Sequence, residues 1–292
     1  PLKYRKEWER FSLLIEGRAD GIWTEEAFTT IDEIKGTFRE VDRMTEPMRV
    51  HLAQARCYAY IYSEQNQLDK AGVRMVYANL ETEDVRYFTE NWEWPVLKAW
   101  FDDLMERYYR WLSFQADWTE QREASLKKLV FPYEYREGQR ELAAGVYRSI
   151  LRKKRLFIQA PTGVGKTLSA LFPALKAVGE GLGDKIFYLT ARTITRMVAA
   201  DTLDLLREQK MRVKSLVLTA KEKLCICQEV QCDPDHCPRA KGHYDRINDA
   251  VYDLWTKGPD SCTREVILTQ AEKYQVCPFE LSLDLSLWMD VI

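Results

Sequence analysis

The sequence predicts an α/β protein of two domains. Three observations carry that prediction. The length is 292 residues, at ~100 to 200 residues per domain. Helix and strand periodicities alternate along both halves. A glycine-rich loop, Ala160 to Thr167, stands between an apolar strand and a helix. With 46% hydrophobic and 30% charged residues, the chain is neither disordered nor built around membrane spans. No apolar run approaches the ~20 residues that cross a bilayer, and Pro1 to Lys6 leads into charged sequence without an apolar signal region. A soluble, cytoplasmic protein is expected.

In chain order, residues 11 to 35 read as a hairpin, with Leu13-Leu14-Ile15 in one strand, a turn near Trp23 to Glu26, and Phe28 to Lys35 returning. Pro47 opens a helix to about Gln65, and Val73 to Asn79 and Val85 to Glu90 follow as strands. Pro95 to Leu129 is an aromatic-rich periodic stretch of one or two helices, and Val130 to Tyr133 marks a boundary. The second half alternates a helix (Glu137 to Lys153), a strand (Leu156 to Gln159), a helix (Thr167 to Gly179), a strand (Lys185 to Thr190) and a helix (Thr195 to Gln209), as in a parallel sheet with crossovers.

Charge is unevenly spread. The net of -2 resolves into -5 over residues 1 to 130, +9 over 131 to 224 and -6 over 225 to 292. A basic middle suits phosphate-rich partners, nucleotide or nucleic acid, and predicts salt-sensitive binding. Ala160-Pro161-Thr162-Gly163-Val164-Gly165-Lys166-Thr167 lies inside it. Glycines let backbone N–H groups turn inward around phosphates, Lys166 can bridge the β and γ oxygens, and the Thr167 hydroxyl can hold Mg2+. Upstream, the Gln139 amide could pair with an adenine edge and so select ATP. Downstream, Thr190 and Arg192 at the end of a strand could contact a phosphate backbone.

Six of the seven cysteines lie between Cys225 and Cys277, and Cys57 stands apart. Such clustering favours a metal or cluster site over a disulfide framework. Four thiolates from Cys225, Cys232, Cys237 and Cys277 can hold a 4Fe-4S cubane, while structural zinc prefers short paired spacings. Spacing alone leaves cluster against zinc open, with Cys227 and Cys262 present in addition.

In the first half, period-2 geometry points Glu33 and Lys35 to one face of their strand and Asp32 to the other. Asp20 on the neighbouring strand could meet Glu33 in a two-carboxylate pocket for Mg2+ or Mn2+, with Lys35 beside it to orient a water or offset charge. Gln54 and Tyr58, four apart, share a helix face. His51 reads as a helix-surface residue. His236, beside Cys237, could substitute in a metal site that four cysteines already fill; His243 carries no assigned role.

Two resemblances follow from these residues. Asp20, Glu33-Ile34-Lys35 and Gln54-x-x-x-Tyr58 resemble the RecB-type branch of PD-(D/E)XK nucleases, which implies a nuclease-like domain over residues 1 to 128 with Gln54 and Tyr58 shaping the site near DNA. Phe131 to Gln139, the Ala160 to Thr167 loop, Thr190 to Thr193, Leu224-Cys225, His236-Cys237 and Val276-Cys277-Pro278-Phe279 resemble, in order, the start of XPD/DinG-type iron-sulfur DNA helicases. This implies a partial RecA-like P-loop motor over 129 to 224 and an inserted iron-sulfur domain over 225 to 277 with the four cysteines as ligands. Residues 278 to 292 then return to the motor. It also implies ATP with Mg2+, 5′ to 3′ translocation on single-stranded DNA or ss/dsDNA junctions, and a role in DNA repair. The sequence ends before a DEAH box and a second motor domain, so the chain alone is expected to bind nucleotide poorly and not to hydrolyse ATP. A DNA-binding or redox-sensing module, and a P-loop ATPase with a zinc ribbon, are the alternatives.

Overall fold

A computed structural model describes residues 1 to 292 except Ala27, Thr162 and Arg192, and the side chains of Thr193 and Ile194. The chain divides into two compact units, Pro1–Arg110 and Trp111–Ile292. Among the described residues no helix is long and apolar enough to cross a membrane.

The first unit opens with β1 (Leu2–Glu7) and β2 (Ser12–Gly17), an antiparallel pair of their own in which Leu13 faces Lys6. A second sheet holds β3 (Gly21–Glu25), β4 (Phe28–Thr37), β5 (Lys70–Asn79) and β6 (Val85–Glu93) in that spatial order. The hairpin expected over residues 11 to 35 is therefore corrected: Leu13 to Ile15 pairs backwards with β1, and β4 pairs with β3. Alternation places a strand's faces but not its partner. Between β4 and β5 the helix α1 (Arg49–Asn66) makes a crossover, and the two strands run parallel with Glu33 beside Met75 and Lys35 beside Tyr77. Ala55, Ala59 and Ile61 of α1 are fully buried, as are Ile31, Val73 and Met75 of the sheet. Tyr60 stacks on Phe101 with ring centroids 3.9 Å apart, closing this core from α2 (Trp94–Lys128).

Helix α2 is one continuous helix, and the division between the units falls inside it rather than near residue 128. The reason lies in its second half. There Trp111 and Phe114 pack beside Trp255, and Leu126 enters a cluster with Leu171, Leu175 and Leu206.

The second unit continues with α3 (Gln139–Leu151), α4 (Lys166–Gly179), α5 (Thr193–Arg207), β7 (Ser215–Leu216), α6 (Lys221–Leu224), α7 (His243–Lys257), β8 (Ser261–Cys262), α8 (Arg264–Tyr274) and α9 (Pro278–Ser286). The parallel sheet is present in short form: β7 pairs with β8, and Val291 bridges in parallel to both Ile186 and Ser215. Ile186 and Tyr188 hydrogen-bond to the main chain of Asp290 and Ile292, but the strand expected over Lys185 to Thr190 is present only as an isolated bridge at Ile186. Leu156 to Gln159 does not form the expected strand. Leu156, Phe157 and Ile158 are exposed, Phe157 at 93%, because this apolar run meets no facing strand among the described residues.

A buried polar knot ties the unit together. The Asp290 carboxylate accepts from Trp118 Nε1 (3.0 Å), Arg122 Nη1 (2.9 Å) and Lys214 N (2.7 Å), with both Arg122 and Asp290 under a tenth exposed. Lys214 Nζ lies 4.7 Å from the Trp118 ring centroid and 3.3 Å from Asp260 Oδ1.

Candidate functional site

Three groups of residues carry chemistry, one in the first unit and two in the second. On β4 the inward face runs Thr29, Ile31, Glu33 and Lys35. An apolar side chain would ordinarily occupy the third position, yet Glu33 stands there 2% exposed. Lys35 Nζ donates to Glu33 Oε1 at 2.6 Å and to Gln54 Oε1 at 3.2 Å, and Gln54 Nε2 donates to the Tyr58 hydroxyl at 3.1 Å. Four of the five expected residues thus form one hydrogen-bonded chain from strand to helix. The other Glu33 oxygen, Oε2, is buried with no hydrogen-bond partner among the described residues. Asp32 points to the opposite face and pairs with Arg74 through both oxygens.

Asp20 sits just before β3 rather than on the strand where the sequence placed it, and its Oδ2 accepts from Ile34 N at 2.8 Å. The shift follows from the corrected hairpin, since β3 begins only at Gly21. Sequence reasoning missed Gly17 and the Tyr77–His51 pair. A Cβ on Gly17 would come within 2.4 Å of the Tyr58 ring, so a larger residue there would push that ring aside. The Tyr77 hydroxyl, beside Lys35 in the parallel register, accepts from Met48 N at 3.0 Å and lies 3.1 Å from His51 Nδ1. Only the register reveals this neighbour.

Burial first, and then the Lys35 charge, hold the His51 imidazole below its ordinary value. The sign follows. As pH falls through about 6.5, unfolded His51 takes up a proton that the folded residue refuses, so this residue makes stability drop on acidification. The hypothesis predicts that the fall in denaturant midpoint between about pH 7.5 and 5.5 is shallower in His51→Gln. An unchanged slope would count against it.

In the second unit the phosphate-type loop leads into α4. Gly163 (φ +86°) and Gly165 (φ +71°) take left-handed conformations that other residues disfavour. The Lys166 ammonium folds back onto the loop, donating to Ala160 O (3.0 Å) and Pro161 O (2.7 Å). The Thr167 hydroxyl lies 3.4 Å from that of Tyr188. Beside the loop is a cleft of about 710 Å3 lined by Arg136, Gly138, Ile158, Gln159, Ala160 and Val164, within the range of small-ligand sites. Gln139 is 5% exposed and lies under the loop: its Oε1 accepts from Arg136 N at 3.0 Å, and its Nε2 abuts Gly165. Thr190 is exposed, and Arg192 lies outside the described residues.

The third group is a small pocket in which Cys225, Cys232, Cys237 and Cys277 meet, with Lys221 and Arg239 on its wall. Cys277 is the N-cap of α9, which brings it to the loop after α6 although 39 residues separate it from Cys237. All four thiols are free. The Lys221 ammonium is held above its ordinary value, mainly by a hydrogen bond with Cys232. Burial pushes the Cys277 thiol up. Cys227 does not line the pocket, but its sulfur lies 3.9 Å from that of Cys237, and desolvation together with Cys237 and Cys225 raises its thiol to about 11. Cys262 is buried away from the pocket against Pro259 O. His236 pairs with Asp233, and His243 Nδ1 accepts from Cys277 N. Among the described residues, no group of three or more His, Cys, Asp or Glu side chains is placed to hold a single metal ion.

Comparison with known proteins addresses the second unit. Residues 140–237, about a third of the chain, match the DEAD/DEAH box helicase family model. A protein of Methanocaldococcus jannaschii described as a probable ATP-dependent helicase is 50% identical over 49 residues, which are 16% of this chain and 8% of that protein. The chain thus spans a small part of the relative it matches. No solved structure matches significantly. Both matches are to helicases, and the family match falls within the second unit.

Proposed function

We propose that the chain belongs to an ATP-driven iron-sulfur DNA helicase of the 5′ to 3′ type joined to a metal-dependent deoxyribonuclease, acting on single strands and ss/dsDNA junctions in repair or end processing. The observation that carries the reading is the meeting of Cys225, Cys232, Cys237 and Cys277 in one pocket, three of them within the helicase-matching segment. Four free thiols lining one pocket supply the donor set that a 4Fe-4S cubane takes. Bound there, the cluster would brace the loop after α6 against the start of α9.

At the nuclease centre the residues fit a divalent cation, because Glu33 offers a buried oxygen with no hydrogen-bond partner among the described residues. Mg2+ or Mn2+ would polarise the phosphodiester and ready a water. This chain's own residues do the rest. Glu33 would supply one hard oxygen and Asp20, just before β3, another. Lys35, held by Glu33 and Gln54, presents a fixed ammonium to the developing charge. Tyr58 holds Gln54 in register.

Anaerobic purification followed by iron, sulfide and zinc assays tests the cluster. About four irons and four sulfides per chain are expected, falling sharply in Cys232→Ser, whose sulfur lies at an exposed position of the pocket. One zinc and no sulfide would overturn the iron-sulfur assignment.

A further inference from the structure

We propose that Cys227 and Cys237 are a disulfide-forming pair, and that their bond is the alternative to a cluster in the cysteine pocket. Their sulfurs lie 3.9 Å apart. A disulfide needs about 2.05 Å, so closure requires roughly 2 Å of movement. Residues 225 to 239 contain only turns and bends, with no helix or strand to resist that movement. Cys227 reaches Cys237 from outside the pocket that Cys237 shares with Cys225, Cys232 and Cys277. One sulfur cannot both ligate a cluster and join a disulfide, so the two states exclude each other. The pairing stands on the sulfur contact; its meaning as the cluster-free state rests on the reading proposed above.

A small-molecule disulfide such as glutathione disulfide supplies the oxidising equivalents. The Cys227 thiolate, on the more exposed residue, attacks one of its sulfurs and expels a glutathione thiolate. The Cys237 thiolate then attacks the Cys227 sulfur of the mixed disulfide and expels the second. Two protein thiols lose two protons and two electrons, and the oxidant leaves as two thiols.

The test uses the full chain, assayed for iron and sulfide as purified, then stripped by anaerobic chelation and treated with glutathione disulfide. Cleavage after Lys223, Glu229 and Arg239 separates Cys225 and Cys227 from Cys232 and Cys237. The expected result is a cross-link between those two peptides that persists in Cys225→Ser. In Cys227→Ser it disappears, and a glutathione adduct appears on Cys237 in its place. Separate adducts on Cys227 and Cys237 in the unsubstituted chain, or a cross-link that survives Cys227→Ser, would overturn the pairing. Absence of iron and sulfide before stripping would overturn the cluster reading instead, leaving the cross-link as evidence for the pair alone.

Discussion

Replacing Lys35 with alanine is expected to lower metal-dependent cleavage of end-labelled single-stranded DNA by about 100-fold or more, the usual loss when one preorganised charge at a reacting centre is removed. The side chain is three-quarters buried, and two acceptors fix its ammonium, at 2.6 Å and 3.2 Å. It needs no reorganisation to meet charge developing beside Glu33. Asp32→Ala is the matched control. It lies on the opposite face in a partly buried ion pair with Arg74, so it should keep cleavage close to that of the parent chain. Equal losses in both variants, or cleavage untouched by Lys35→Ala, would falsify the nuclease hypothesis for this face of the sheet.

Asp290→Ala is expected to destabilise the second unit by about 3 to 5 kcal/mol, read as a shift in its denaturant midpoint. Removing the carboxylate leaves the Arg122 guanidinium, itself 5% exposed, with its bond to Asp184 O but without the Asp290 counter-charge, and leaves the Trp118 and Lys214 donors unmatched. Asp290→Asn, which keeps an acceptor but loses the charge, should fall between. A shift under about 1 kcal/mol in the alanine variant would mean that water replaces the lost acceptor and that the knot is not buried in solution.

What the sequence disclosed depended on the range of the signal. The glycine loop was legible because strand, loop and helix are adjacent in the chain, and α4 begins at Lys166. Glu33 and Lys35 share a face because a strand alternates, and Gln54 and Tyr58 share one because a helix repeats; neither inference needs tertiary knowledge. That the two faces meet in one hydrogen-bonded chain was implied only by resemblance. Pairing was not legible. Leu13 to Ile15 suits many strands, and nothing local selects β1 over β4, so Asp20 was placed a residue too far into the sheet. Leu156 to Gln159 has strand composition but meets no partner strand among the described residues, and composition cannot supply one. The amide of Gln139 illustrates a different limit. Its spacing placed it near the loop, but its 5% exposure beneath Gly165 could not be read from spacing.

The bridge at Val291 has a consequence for biosynthesis. That residue stands between Ile186 and Ser215, yet it is translated roughly a hundred residues after the first of them. At about 5 to 20 residues per second, a ribosome delivers it some 5 to 20 seconds late. Until then Ile186 lacks its hydrogen-bonding neighbour, and the Arg122 guanidinium waits for Asp290. Long-range closure of this kind is slow and leaves apolar strands open to wrong partners. During that interval Cys225, Cys232 and Cys237 have likewise emerged before Cys277 can complete their pocket.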